Sequence, residues 1–182
     1  MTESLMERAD EIRRANYGNK VYIRGLIEVS NICKNNCYYC GIRRSNDHVN
    51  RYRLAKDEIL RSADFGYGLG FRTFVMQGGE DPSFSRDFVV DSIREIKNKY
   101  PDTAITLSLG ERSYEDYKAF YDAGADRYLL RQETSNPDHY AKIHPKEMSL
   151  AHRQECLYNL KEIGYQVGGC LLYTSDAADD TL

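Results

Sequence analysis

The chain alternates between apolar, strand-like runs and amphipathic, helix-like segments, and this alternation restricts the fold more than any other feature. The predicted strands are 21–30, 71–79, 104–110 and 127–134, with a further strand beginning at 166–169. The predicted helices are 3–16, 56–69, 84–100, 113–125 and 149–165. Because the connections are long enough to cross over a sheet, the strands are expected to be parallel, with the helices outside.

The length of the chain sets how much of such a fold it contains. A complete (β/α)8 barrel needs about 250 residues, and this chain has 182. The sequence therefore predicts the N-terminal half of a TIM-type barrel over residues 1–169. Such barrels carry their chemistry at the carboxyl ends of the strands. Polar and glycine residues collect at those ends, in the segments 31–40, 77–81, 108–111 and 131–134.

The last residues depart from this alternation. CLLYTSDAADD (170–180) resembles the translation of a sequencing-library transposase adapter. We therefore expect residues 170–182 to be non-native and the reading frame to be truncated. Cys170 is assigned no functional role.

The composition is that of a globular protein, with 41% hydrophobic and 29% charged residues. A net charge of −3 gives no indication of a nucleic-acid partner. No apolar run is long enough to span a bilayer, and the N-terminus lacks the apolar core of a signal peptide. The sequence thus favours a cytoplasmic protein without a membrane partner. In that compartment its five cysteines are expected to be metal ligands, catalytic groups or buried thiols rather than disulfides.

Three cysteines, Cys33, Cys37 and Cys40, follow the first predicted strand with the spacing C-x3-C-x2-C. A structural zinc site usually needs four protein ligands. His48 is a possible fourth ligand, but it has no paired spacing, and Cys156 lies in an amphipathic helix as an expected core thiol. An iron–sulfur cluster held by only three cysteines leaves one iron open to a chelating ligand.

This spacing, its place after the first strand, and the aromatic Tyr39 before the last cysteine resemble the signature of the radical S-adenosylmethionine (SAM) enzymes. The run QGGED (77–81) resembles the "GGE" motif of the same superfamily. The resemblance implies a [4Fe–4S] cluster held by Cys33, Cys37 and Cys40. It also implies that SAM is cleaved reductively to a 5′-deoxyadenosyl radical.

Longer stretches resemble one family within that superfamily. IEVSNICKNNCYYCGIRRSN (27–46), QGGEDP (77–82) and LLRQETSNP (129–137) are similar to HydE, a maturase of [FeFe]-hydrogenase. The resemblance implies a small organometallic iron substrate, used in assembling the H-cluster, and contacts with other maturation proteins. It covers about the first half of such a protein.

The resemblance also implies roles for individual residues. Those expected to line the methionine and adenosine region of SAM are Tyr39, Gly78, Gly79 and Glu80. Those expected to contact SAM from later segments are Arg131, Glu133 and, at its carboxylate, Arg153. Those expected to touch substrate are Thr106 and Ser108. Relatives often have serine at the position of Gly78, so a side-chain contact there is lost or replaced by a backbone contact.

Simpler interpretations stand beside these roles. Arg131 and Glu133, two positions apart on a strand, share a face and could form a buried ion pair. Arg153 alone would be a surface residue of a helix, and Glu111 could merely begin one. The alternative functions are a methylornithine synthase-like or biotin synthase-like enzyme, a zinc-binding module, and an inactive fragment.

Overall fold

The computed structural model describes residues 2–172, which form one five-stranded sheet in the order β1-β2-β3-β4-β5. The strands are Gly25–Ser30 (β1), Thr73–Gly78 (β2), Ala104–Ser108 (β3), Arg127–Leu129 (β4) and Gln166–Gly168 (β5). The helices are Thr2–Tyr17 (α1), Lys56–Gly68 (α2), Arg86–Lys99 (α3), Tyr114–Asp122 (α4), Pro137–Ile143 (α5) and Leu150–Ile163 (α6).

All neighbouring strands pair in parallel, as the alternation predicts. Leu26 lies opposite Val75, and Val75 lies opposite Thr106. Thr106 lies opposite Arg127, which in turn lies opposite Gln166. Parallel pairing needs a crossover between successive strands, and here each crossover carries a helix. The carboxyl ends of all the strands therefore meet at one edge of the sheet.

The hydrophobic core lies between the sheet and α2, α3, α4 and α6. Phe74 packs so closely that a Cβ added at Gly25 would lie 2.9 Å from its ring, and one at Gly66 would lie 2.7 Å away. Cys156 is 1% exposed, which confirms the predicted core thiol. Other buried members of this layer are Ile27, Val29, Ile59, Met76, Val89, Ile93, Ile105, Leu107, Phe120 and Leu160.

The opposite face of the sheet is only partly covered. Leu26 is 55% exposed although it lies within β1, and the apolar side chains of Val21, Tyr22 and Ile23 just before β1 are also exposed. This is the face that a closed barrel turns inward. The described residues thus form a half-barrel, which confirms the predicted fold class.

Side-chain caps fix the starts of the helices that follow the site loops. The hydroxyl oxygens of Ser85, Ser113 and Ser149 each accept a hydrogen bond from the backbone N–H three residues later, at 3.2, 3.2 and 3.1 Å. Such caps satisfy one of the donors that a helix leaves unpaired in its first turn. They set where each loop at the carboxyl edge must end.

The sequence prediction was wrong at three places. Helix α5 was not predicted, because its seven residues are too few for a periodic pattern, although Asn136 caps it and Pro137 opens it. The first strand begins at Gly25 rather than at residue 21. The fourth strand ends at Leu129 rather than at residue 134, and further on Glu133 has a φ of 63°, outside any strand conformation.

The start of the predicted non-native tail continues the pairing beyond β5. The Glu133 N–H donates to the Cys170 carbonyl at 2.8 Å, and the Leu172 N–H donates to the Glu133 carbonyl at 2.9 Å. Residues 173–182 lie outside the described residues, so the origin of the tail and the boundary at residue 169 stay predictions. Across residues 2–172, none of the helices has the length and apolar character needed to cross a membrane.

We expect the isolated 182-residue chain to be poorly soluble or partly unfolded. Both sheet edges and the apolar inner face would be exposed to solvent, which favours association between chains. Size-exclusion chromatography with dye binding and thermal unfolding measures this. A monomer with one sharp unfolding transition would contradict the expectation.

Candidate functional site

A cavity of about 570 Å³ opens at the carboxyl edge of the sheet, beside the cysteine loop. Its volume is in the range of ordinary cofactor pockets. The candidate residues that line it are Cys33, Cys37, Tyr39, Cys40, Gly78, Gly79, Glu80, Ser108, Arg131, Glu133 and Arg153. Thr106 is not among its lining residues: it lies two positions before Ser108 on β3, is 5% exposed, and its hydroxyl has no hydrogen-bond partner.

The beginning of the cysteine loop rests on the end of β2. The Lys34 N–H donates to the Glu80 carbonyl at 3.0 Å. A Cβ added at Gly79 would lie 2.3 Å from the Ile32 carbonyl oxygen and 2.8 Å from the Cys33 Cβ. Only glycine allows this approach. The Gly79 position of the GGE-like motif thus sets how closely the first cysteine approaches the sheet.

The middle of the loop rests on the connection between α5 and α6. The Tyr38 N–H donates to the Ile143 carbonyl at 2.9 Å, and the Cys37 thiol lies 3.6 Å from the Met148 sulfur. The sequence did not indicate Met148, because no motif surrounds it. Contacts of this kind join segments that are far apart in the chain.

Tyr39 is oriented by a buried histidine, His144, that no sequence motif indicates. Burial lowers the pKa of His144, so its ring is neutral near pH 7. Its Nδ1 lies 3.1 Å from the Tyr140 carbonyl, which only accepts, so Nδ1 carries the proton. Its Nε2 therefore accepts from the Tyr39 hydroxyl at 3.3 Å.

The three thiols are half-buried and share the cavity. Burial raises the pKa of Cys33, and burial together with the charges of Cys40 and Cys33 raises that of Cys37 to about 12. Both thiols are thus protonated at neutral pH without a metal, and metal loading must release protons. Among residues 2–172, no three His, Cys, Asp or Glu side chains converge closely enough to hold a single metal ion. The side chain of His48 is 94% exposed and lies outside the cavity lining.

Glu80 is held beneath the end of β3. Its Oε1 accepts from the Glu111 N–H at 2.9 Å. Gly110 has a φ of +74°, and a Cβ there would lie 2.0 Å from the Glu80 Cγ, so both the conformation and the space require glycine. The other oxygen, Oε2, lies 3.2 Å from the Lys34 Nζ but lacks hydrogen-bond geometry. One carboxylate oxygen is thus left without a directed partner beside the cavity.

Arg153 is 6% exposed, which overturns the interpretation as a surface residue. Its Nε donates to the Glu111 Oε1 at 2.6 Å, and its Nη1 donates to the Arg131 carbonyl at 2.6 Å. Burial works against its charge, but Glu111 holds the pKa of Arg153 above its usual range. Glu111 therefore anchors this guanidinium group, a role that its place after a glycine at a strand end could have suggested.

Glu133 faces the same cavity under backbone strain. Its φ of 63° is uncommon for a residue with a side chain, and such residues cluster at functional sites. The side chain is buried, and its Oε2 has no hydrogen-bond partner. Burial raises the pKa of Glu133, while Arg131, Tyr39 and Arg153 act in the opposite direction. In the described part of the chain, Arg131 affects Glu133 through its charge and makes no hydrogen bond to the Glu133 Oε2.

The carboxylate of Asp81, directly after the GGE-like motif, links three segments around the site. Its side chain is 0% exposed and accepts two hydrogen bonds from Arg53, each 2.7 Å long. The Ser30 hydroxyl donates at 2.7 Å and the Ser83 N–H at 3.0 Å. Burial alone would raise the pKa of Asp81, but these donors lower it overall. Ser30 also accepts from the Ile32 N–H at 3.0 Å, so the network reaches the cysteine loop.

Comparison with known proteins places this geometry in a family. The family model described as "Radical SAM superfamily" matches residues 27–176. The chain belongs to the radical SAM superfamily. Its members use SAM and a [4Fe–4S] cluster, and the cysteine loop of this chain follows β1.

The relatives agree with the narrower resemblance. The chain is 47% identical over 166 residues to the [FeFe] hydrogenase maturase subunit HydE of Thermotoga maritima, covering 91% of this chain and 47% of the relative. A solved structure of methylornithine synthase (PylB) has a TM-score of 0.85 at 28% identity, covering 93% of this chain and 50% of that one. A structure of HydG, a maturase of the [FeFe]-hydrogenase, has a TM-score of 0.78 at 30% identity, covering 89% and 38%. The chain thus spans about half the length of these relatives.

Replacing Gly79 by alanine is expected to displace the cysteine loop. The new methyl group would overlap the Ile32 carbonyl, and such overpacking costs about 1–3 kcal/mol. We expect a lower melting temperature and reduced iron content in the full-length protein. Gly41→Ala is the matched control, because nothing lies within 4 Å of its added Cβ. Equal iron content in the two variants would contradict the prediction.

Replacing Asp81 by asparagine is expected to reduce the free energy of unfolding by about 1–3 kcal/mol near pH 7, since Arg53 and Ser30 lose a charged partner. The native pKa of Asp81 lies below its usual value of 3.8. The charged network is therefore fully present above about pH 4 and lost as pH falls through the native pKa.

Urea unfolding from pH 7 to pH 3 measures this difference. It should shrink toward zero in acid, because the parent carboxylate then becomes protonated. Asp57→Asn, which removes a surface pair with Arg61, is the control and should change little at any pH. A difference between parent and Asp81→Asn that grows in acid would contradict the expectation.

Proposed function

We propose that this chain is the N-terminal half of a HydE-like radical SAM enzyme. In this proposal Cys33, Cys37 and Cys40 hold a [4Fe–4S] cluster, and SAM binds beside it in the cavity. The observation that carries the proposal is the convergence of the three thiols in one cavity of about 570 Å³ with buried charged groups from later loops and from α6. The similarity to HydE, at 47% identity, supports the narrower assignment.

The donor set suits a cluster of several irons better than a single zinc ion. The three thiols line one cavity, yet in the region from residue 2 to residue 172 no three potential ligands close around one point. Zinc needs its ligands about 2.0–2.3 Å from one centre. A cluster of several irons takes thiolates that stand further apart.

The charged groups suit the two ends of SAM. In the proposal, the buried carboxylate of Glu133, whose Oε2 lacks a partner, faces the positive part of the ligand. Arg153, fixed by Glu111, and Arg131 present positive charge on the same cavity for the carboxylate of the methionine moiety. Gly78, Gly79 and Tyr39 border the remaining surface of the ligand.

When bound, the cluster supplies one electron to SAM and so gives methionine and a 5′-deoxyadenosyl radical. The protein must hold SAM in one orientation and keep water and stray hydrogen donors away from the radical. Glu80, Glu111 and Arg153 contribute by filling the carboxyl edge with a fixed network. Ser108 lines the cavity on β3 and is proposed to contact substrate, with Thr106 deeper on the same strand.

The substrate and partners are proposed from the similarity to HydE. We propose that the radical acts on a small organometallic iron compound during assembly of the [FeFe]-hydrogenase H-cluster, and that other maturation proteins deliver or receive that compound. The alternative within the superfamily is a methylornithine synthase-like enzyme, which the TM-score of 0.85 to PylB favours. Product analysis with the full-length protein distinguishes them, because one function predicts activation of the hydrogenase and the other predicts formation of methylornithine.

Anaerobic reconstitution of the full-length protein with iron and sulfide tests the proposal. We expect a brown protein whose Mössbauer spectrum shows a four-iron cluster and which cleaves SAM to 5′-deoxyadenosine. Cys37→Ser should lose most of the iron and all measurable cleavage, because one of the three ligands is removed.

Cys156→Ser is the matched control, since that thiol is buried in the core on α6, away from the cavity. It should keep the cluster at reduced stability. A colourless parent protein that binds zinc stoichiometrically would overturn the proposal in favour of a zinc-binding module.

A further inference from the structure

Arg51 lies in the segment that follows the cysteine loop, and both terminal nitrogens of its guanidinium group donate to backbone carbonyls. Nη1 donates to the carbonyls of Asn31 at 2.5 Å and Ile42 at 2.9 Å. Nη2 donates to those of Arg43 at 2.7 Å and Asn46 at 2.8 Å. Two terminal nitrogens carry four N–H groups, so every one of them is used.

These four acceptors lie on both sides of the three cysteines. Asn31 precedes Cys33 by two positions, whereas Ile42 and Arg43 follow Cys40 by two and three positions. One rigid, planar group therefore joins the two ends of the loop. The separation of the ends, and with it the path of the loop between them, depends on a side chain outside the cavity lining.

The segment that carries Arg51 is itself anchored to β1. The Leu54 N–H donates to the Val29 carbonyl at 2.9 Å. The side chain of Asn31 brackets Arg51, since it donates to the Asn50 carbonyl at 2.8 Å and accepts from the Tyr52 N–H at 2.8 Å. The guanidinium group is thus supported from a strand of the sheet rather than from a free loop.

We propose that Arg51 is a positioning residue that closes the cysteine loop and holds its three thiols at the spacing required by the cluster. The inference rests on the proposed function, because it assigns Arg51 a task in cluster and SAM binding. It goes beyond that function because it names a residue that contacts neither the cluster nor SAM. The residue acts through the backbone of Asn31, Ile42, Arg43 and Asn46.

Arg51→Lys separates geometry from charge. Lysine keeps the positive charge but offers three donors from a single nitrogen. It therefore cannot donate to four carbonyls at once, as the two terminal nitrogens of the planar guanidinium group do. Arg72→Lys is the matched control. Arg72 also donates to backbone carbonyls, those of Tyr67 at 3.2 Å and Phe71 at 2.8 Å, but it lies at the opposite end of β2.

The experiment uses the full-length protein and four readouts. Hydrogen exchange of the metal-free protein should show faster exchange of amides in residues 33–43 for Arg51→Lys only. After reconstitution, Arg51→Lys should hold iron about 10-fold more weakly, as is typical when support of a metal ligand is lost. With SAM added, the electron paramagnetic resonance lines of the reduced cluster should be broader in Arg51→Lys than in the parent. The KM for SAM should rise by a larger factor than kcat falls.

A purely structural role would give a different pattern. If Arg51→Lys lowers only the melting temperature, as Arg72→Lys does, and retains the parent exchange, iron content and spectrum, the proposal is overturned. Arg51→Gln, which keeps two donors, is the second variant and should shift all four readouts in the same direction as Arg51→Lys. A parent protein that binds no cluster would instead overturn the proposed function itself.

Discussion

The site depends on a carboxylate with no exposure to solvent. Asp81 accepts hydrogen bonds from Arg53, Ser30 and the Ser83 backbone, and so ties together the segment after the cysteine loop, the end of β1 and the loop after β2. A buried charge without such partners would cost several kcal/mol. The three segments must therefore come together in one arrangement for the carboxylate to be tolerated. The cysteine loop begins at the point where they meet, because the Ile32 N–H donates to Ser30.

Around that point the cavity is surrounded by groups of opposite charge, not all of which have a hydrogen-bond partner. Glu80 and Glu133 each keep a carboxylate oxygen without a hydrogen-bond partner, and Arg131 lines the same space. Arg153 is satisfied by Glu111 on one side and by the Arg131 carbonyl on another. Unpaired buried groups reduce stability when the site is empty and are satisfied when a zwitterionic ligand binds. This is the expected form of a pocket whose ligand carries both signs.

The sequence predicted most of the fold because its signals are local and repeated. Alternating apolar segments define the strands and helices, and cysteine spacing is read directly. It missed α5, whose seven residues hold too few apolar positions. It extended the fourth strand through Glu133, because nothing local indicates a φ of 63°. It assigned no individual role to Arg51, Asp81 or His144, since their importance comes from partners on other elements. Alone, it would have placed Arg153 on the surface, although that residue is buried.

The contact between the Cys37 thiol and the Met148 sulfur joins residues 111 positions apart. The surroundings of the second cysteine are therefore complete only after three further strands and the short helix α5 have been synthesised and packed. During synthesis on the ribosome, the three thiols emerge long before the segment that carries Met148. Assembly of an oxygen-sensitive metal group at this loop would consequently follow formation of the fourth β/α unit, and a nascent chain that stalls earlier would present bare thiols to the cell.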